Sequence, residues 1–186
     1  LWPEIFRRYI SILLLGIIIK ELDNESDEDR PGDLLIHRLL YRLKPYYLPY
    51  GLLALAISLM LDVNHAFTLF CSAYILGMFQ LPIQRPSIKL KRYHEALIIL
   101  LINLLLAPFS ILLHSFISIA IIQLIDDLMD KDYDLMLGYF NYVIKFGNIE
   151  VILVIGILLI AAFMLSWVDT LIILPTAFLI NYLYSI

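Results

Sequence analysis

Five carboxylates fall within nine residues of this chain: Asp126, Asp127, Asp130, Asp132 and Asp134. They follow directly on an apolar run, and acids at the end of a membrane span are costly enough to mark a functional site by default. Asp127, Asp130 and Asp134 are spaced i, i+3, i+7, which places them on one helical face. Such a row of hard oxygen donors suits Mg²⁺, which takes one or two carboxylates and completes its shell with water and substrate phosphate. Asp132, two positions from both Asp130 and Asp134, faces elsewhere on the same helix.

A second acidic cluster, KELDNESDEDRPGD from Lys20, lies about a hundred residues earlier. Asp23 and Asp27 are four apart, as are Glu21 and Glu25, so each pair shares a helix face. Arg30, Arg38, Arg42 and Lys44 follow closely. Acids that bind a metal, with cations that take the remaining phosphate charge, are what a metal–diphosphate site requires. Taken alone, this stretch reads equally as a solvated loop between spans.

The elements that must position these groups are membrane helices. The chain is 62% hydrophobic and only 16% charged over 186 residues, a balance wrong for a soluble domain and right for a polytopic membrane protein. Apolar runs at 5–20, 46–61, 66–83, 96–110, 111–126, 149–167 and 170–186 predict an all-α bundle of about seven spans. The stretch 96–126 is too long for one straight crossing, and a break is expected near Pro108–His114. With that break both acidic clusters fall on one side, as do 11 of the 13 Lys and Arg residues, which the positive-inside rule makes cytoplasmic. Arg7 and Arg8 stand at the other end of the first span. No basic stripe suggests nucleic acid, and Cys71, the single cysteine, reads as a small hydrophobe within a span.

The second acidic stretch resembles the second aspartate motif of the UbiA superfamily of intramembrane prenyltransferases, D-x-x-x-D-x-x-x-G-x-x-T/S-x-x-x-R/K-x-G. Asp130, Asp134, Gly138, Asn141, Lys145 and Gly147 stand at those spacings, with Asn141 in place of the usual hydroxyl residue and Lys where Arg is common. The first stretch resembles the family's first motif in Asp23, Asp27 and Arg30-Pro31, with Glu21 standing in for its first acid. Arg38 is similar to its basic tail, and the segment Ile88 to Tyr93 to a basic loop of the family. The order of motifs and spans matches helices 2 to 8 of a nine-helix layout. The whole chain, 1–186, is therefore expected to be one prenyltransferase-like domain, incomplete at both ends. The start at Leu1 instead of Met agrees with that expectation.

The resemblance implies Mg²⁺-dependent transfer of a prenyl group from an allylic isoprenyl diphosphate to a hydrophobic acceptor, aromatic or lipid, in the bilayer. It implies that Asp23, Asp27, Asp127, Asp130 and Asp134 hold the metal. It further implies that Asp130, Asp134, Lys91 and Arg92 serve catalysis, and that Arg30, Arg38, Lys145 and Tyr133 bind the donor. The prenyl tail would lie among the helices, where hydrocarbon prefers to be.

Other polar residues have modest readings. His114 and Asn103 are expected to make helix–helix hydrogen bonds, His65 to sit idle in an outer turn, and Gly51, Gly77 and Gly156 to permit close helix approach. His94 and Glu95 either transfer protons or cap a span. Two other functional readings stay open: a membrane transporter that coordinates cations, and a catalytically degenerate member of the same family. A CDP-alcohol phosphotransferase is disfavoured because its D-G-x-x-A-R pattern is absent. No P-loop, H-E-x-x-H or Cys/His metal spacing occurs.

Overall fold

The computed structural model describes residues 2–26, 47–77 and 92–185, with the side chains of 24–26, 47, 48, 92 and 185 excepted. Asp27, Arg30, Arg38 and Lys91 lie outside the described residues. Arg92 contributes only its backbone, at the start of a helix.

All regular structure among the described residues is helical. Seven longer helices are α1 (Trp2–Ser26), α2 (Tyr47–Leu61), α3 (Val63–Leu76), α4 (Arg92–Leu106), α5 (Phe109–Met129), α8 (Asn148–Leu165) and α9 (Trp167–Ser185). Between α5 and α8 lie two short ones, α6 (Lys131–Leu137) and α7 (Tyr142–Phe146). The segments Phe109–Met129, Asn148–Leu165 and Trp167–Tyr184 are long and apolar enough to cross a membrane. The described portions of α2, α3 and α4 are apolar and 15, 14 and 15 residues long, less than the roughly 20 of a full crossing. Large apolar side chains on α8, including Ile152, Leu153, Ile157, Ile160 and Met164, are exposed. Such a continuous apolar surface suits lipid contact better than water.

The helix ends follow from local chemistry. The expected interruption of 96–126 falls at Ala107–Pro108. Proline has no N–H and disfavours a helical conformation in the residue before it, so Pro108 adopts extended backbone (φ −60°, ψ 132°) and α5 starts afresh. Asp62 caps α3 by accepting from the His65 N–H, and Gly77 closes that helix in a left-handed turn (φ +84°), a conformation glycine adopts without strain.

Long-range pairs fix the directions of the helices. Arg8 pairs with Asp169, and the Tyr184 hydroxyl donates to Glu21, so α1 and α9 run parallel. His114 meets Thr170, and Asn181 donates to Asp126, which makes α5 parallel to α9 as well. Thr68 and Ser115 join α3 to α5 at one end, and Gly77 and Gln123 line one cavity at the other. Helices α1, α3, α5 and α9 thus run the same way, and they supply the main core: Ile12, Leu15, Ile19, Ala66, Leu69, Ala73, Ile119, Ile172 and Ile173. A second core of Ile121, Val143, Val151, Ile155 and Ala162 packs α7 and α8 on the other flank of α5.

Small and hydroxylated residues make the closest contacts, as in membrane bundles, where packing and interhelical hydrogen bonds replace the hydrophobic drive. Ser11 and Ser58 each donate to the other's backbone carbonyl at 2.8 Å, clasping α1 to α2. The glycine that permits close approach is Gly16, where an added Cβ would stand 2.5 Å from Ile180 Cδ1. Gly51, Gly77 and Gly156 have open space around their Cα atoms among the described residues, so the role expected of them falls to Gly16 instead.

Candidate functional site: an acidic cavity at one end of the bundle

The last turns of α1, α3 and α5 and the turn after α6 line a half-open cavity of about 190 Å³. Five acids line it: Asp23 from α1, Asp126 and Asp127 from α5, Asp130 and Asp134. Lys20, Gln123, Gly77, Tyr139 and Phe140 complete the described lining. A member of the first acidic cluster and four of the second, more than a hundred residues away, therefore share one space.

The second cluster keeps its phasing through a break in the helix. α5 ends at Met129, and Asp130 links it to α6. The i→i−4 ladder nevertheless persists, with Asp130 N–H donating to the Asp126 carbonyl and Asp134 N–H to the Asp130 carbonyl, both at 2.9 Å. Asp127, Asp130 and Asp134 accordingly stay on the cavity side, while Asp132 is exposed and absent from the lining.

Asn141 organises the acids. Its Oδ1 accepts from the N–H groups of Val143 (2.7 Å) and Ile144 (3.2 Å), capping α7. Its Nδ2 donates to Asp134 Oδ2 (2.8 Å) and to the Asp127 carbonyl (2.7 Å). All four hydrogen-bonding capacities of the amide are used, and the side chain is buried. Ser, Thr and Asn are all good N-caps, so a hydroxyl residue could cap α7 equally well, but only the amide also supplies two donors to the acidic helix. The Tyr142 N–H donates to Asp127 Oδ2 at 2.8 Å. One anchored oxygen fixes the direction of the other in both carboxylates.

The glycines of this stretch are backbone requirements. Gly138 ends α6 at φ +71°, donating to the Asp134 carbonyl. Gly147 holds φ +102°, ψ +156°, a region open essentially to glycine alone.

Lys20 is the basic side chain among the described lining residues. Its Nζ lies 3.5 Å from Asp23 Oδ2 and 3.6 Å from Asp126 Oδ2, bridging α1 and α5. The sequence does not mark Lys20 for the site, and it marks Asp126 only as one of the five clustered carboxylates, without a role. Asp126 belongs to the same acidic run but falls outside the i, i+3, i+7 face read there. Tyr133 and Lys145 are exposed and do not line the cavity. The Lys145 ammonium stands over Phe140 and Phe146, 5.6 and 5.2 Å from the ring centroids, and so lies behind an aromatic that does line it. Glu95 accepts from the Tyr74 hydroxyl at 3.1 Å, tying α4 to α3.

The donor set limits how a divalent ion could be held here. Among the described residues no three His, Cys, Asp or Glu side chains stand where they could hold one ion together, which speaks against a closed protein cage. Mg²⁺ bound by one or two carboxylates, with water and phosphate completing its octahedron, needs no such cage.

The opposite end of α1 carries a polar network that sequence reading left unassigned. Arg8 donates to Asp62 Oδ2 (3.1 Å) and to Asp169. His65, far from idle in an outer turn, is buried; its Nδ1 lies 3.0 Å from Asp62 Oδ2 and its Nε2 3.4 Å from Asp169 Oδ2. Ser166 donates to Asp169 at 2.6 Å. The sequence signal for this network is Arg8 itself, a cation at the end of α1 away from both acidic clusters, whose charge is met internally. His114 makes the expected interhelical bond, Nε2 to Thr170 Oγ1 at 2.9 Å.

No family model, curated protein or solved structure matches this chain.

Proposed function

We propose that this chain is the core of a multi-pass, UbiA-like prenyltransferase whose acidic cavity receives the metal-bound diphosphate of an allylic isoprenoid. The observation that carries this reading is the meeting of Asp23 with Asp126, Asp127, Asp130 and Asp134 in one cavity at the helix ends. A cation transporter would place its acids near the middle of the spans, and this cavity lies at their last turns.

Asp23, Asp127, Asp130 and Asp134 would hold Mg²⁺, joined by Asp27 beyond the described residues, with the acidic end facing the cytoplasm. Bound Mg²⁺ supplies charge neutralisation for a leaving diphosphate. Asn141 and the Tyr142 N–H keep two of the carboxylates oriented, which avoids reorganisation as charge develops. In the reaction the allylic C–O bond breaks with its electron pair leaving on diphosphate. A carbon of the hydrophobic acceptor supplies the pair for the new C–C bond and then loses a proton. Tyr139 and Phe140 present aromatic surface to the cavity, suited to steadying an allylic cation. Between α5 and α9, a small apolar crevice formed by Ile122, Ile125, Leu174, Ala177 and Phe178 adjoins Asn181, which donates to Asp126.

The test is prenyl transfer from allylic diphosphates of several lengths, in membranes expressing the full protein. Asp130→Asn and Asp134→Asn are expected to lower Mg²⁺-dependent turnover by about a hundredfold or more, the scale on which charge-stabilising groups act, while Asp132→Asn keeps most of it. Equal turnover in all three variants and the parent would overturn the reading.

A further inference from the structure

The acidic cavity contains its own cation. Lys20 comes from α1, reaches Asp23 on its own helix and Asp126 on α5, and is largely buried, its side chain 14% exposed. Its distances of 3.5 and 3.6 Å are those of a loose ion pair, longer than the 2.7–2.9 Å of a charge-assisted hydrogen bond. Lysine is a compact charge on a flexible four-carbon stem, so this ammonium can change partners without moving the backbone. Asp126 has a second anchor in Asn181, whose amide donates to its other oxygen. Its carboxylate therefore stays in place when the lysine leaves.

We propose that Lys20 is an exchangeable counter-cation of the cavity: it spans Asp23 and Asp126, yields these carboxylates to divalent metal, and then binds the oxygens of the metal-bound diphosphate. The inference rests on the metal–diphosphate reading above and adds a residue outside both aspartate motifs. Metal alone has to compete with Lys20, whereas metal together with diphosphate recruits it. The site thereby discriminates against metal without its anionic partner.

The experiment uses Mn²⁺, which shares the octahedral oxygen preference of Mg²⁺ and is read by electron paramagnetic resonance, on the purified full-length protein with and without inorganic diphosphate. Lys20→Gln is expected to bind Mn²⁺ alone about fivefold more tightly, since a competing ion pair of modest strength is gone. Its affinity for inorganic diphosphate in the presence of Mn²⁺ should fall about tenfold, the scale of one charge-assisted hydrogen bond. Lys20→Arg should stay near the parent in both. Acylation of the Lys20 amine, followed by mass spectrometry in the unsubstituted protein, gives a readout that needs no variant: Mn²⁺ alone should raise labelling, and Mn²⁺ with diphosphate should suppress it. Unchanged or weaker Mn²⁺ binding by Lys20→Gln, or labelling indifferent to both additions, would overturn the assignment. Asp130→Asn separates the two levels. If it loses Mn²⁺ while Lys20→Gln matches the parent, only the role of Lys20 falls; if it binds Mn²⁺ as the parent does, the reading of the cavity falls too.

Discussion

Two polar regions sit at opposite ends of α1, about 18 Å apart by the rise from residue 8 to residue 20. Around Arg8, two acids meet a guanidinium and an imidazole, and hydrogen bonds join all four groups to one another or to the Ser166 hydroxyl. Around Lys20, five acids and one ammonium surround open volume. The first arrangement is complete without a ligand and serves to hold α1, α9 and the α2–α3 turn together. The second groups like-charged carboxylates from α1, α5 and α6 around a half-open volume. Charge alone therefore does not mark a site; the difference lies in whether the charged groups close on one another or line a space.

The same substitution made at both ends tests this contrast most directly. Asp169→Asn should cost about 3 kcal/mol, the scale for breaking a buried pair and leaving its partner charged, in denaturant unfolding of the detergent-solubilised protein. Asp130→Asn, at a position with like-charged Asp127 and Asp134 on the same cavity wall, should cost less than Asp169→Asn in the same measurement. Equal losses at both ends would erase the distinction. A smaller effect is expected at Asn141. Asn141→Ala removes the cap and both donors to the acidic helix, for a loss of about 2 kcal/mol. Asn141→Thr keeps the cap and loses only the donors, for about 1 kcal/mol; if Asn141→Thr were as stable as the parent, the amide donors would contribute nothing, and if the two variants were equally destabilised, the cap would contribute nothing.

A further effect is one of pH at the Arg8 end. Burial works against the Asp62 carboxylate, but hydrogen bonds from His65 and Arg8 and the charge of His65 hold it down at about 2. A depressed carboxyl contributes stability that is fully present above its ordinary value, 3.8, and is lost as pH falls toward 2. The unfolding free energy should therefore decline between pH 4 and pH 2, and Asp62→Asn should flatten that decline. An identical slope in the variant would assign it to other groups.

What the sequence made legible was periodic or local. The acid phasing of Asp127, Asp130 and Asp134 survives because it depends on a helical ladder, even one interrupted at Asp130. The break before α5 follows from the backbone chemistry of Pro108. Residues whose meaning depends on distant partners were not legible. Arg8 and Asp169 are 161 positions apart, and nothing in either neighbourhood announces that α1 and α9 lie parallel. Gly16 gains its importance only from Ile180. Lys20 reads as one more charge at a span end until α5 is laid beside α1.

The shared direction of α1, α3, α5 and α9 has an electrostatic consequence. Each peptide carries a dipole, and a helix concentrates partial positive charge at its start and partial negative charge at its end. Asp62 caps the start of α3, and Asp169 lies in the first turn of α9, where the backbone itself favours an anion. Asp23, Asp126 and Asp127 occupy the last turns of α1 and α5, and Gly77 closes the end of α3 beside them. There the aligned carbonyls add to the field of the carboxylates instead of offsetting it, by about 0.3–1 kcal/mol for each charge at a helix end. The backbone thus makes one pole of the bundle a resting place for acids and the other a place where it works against them.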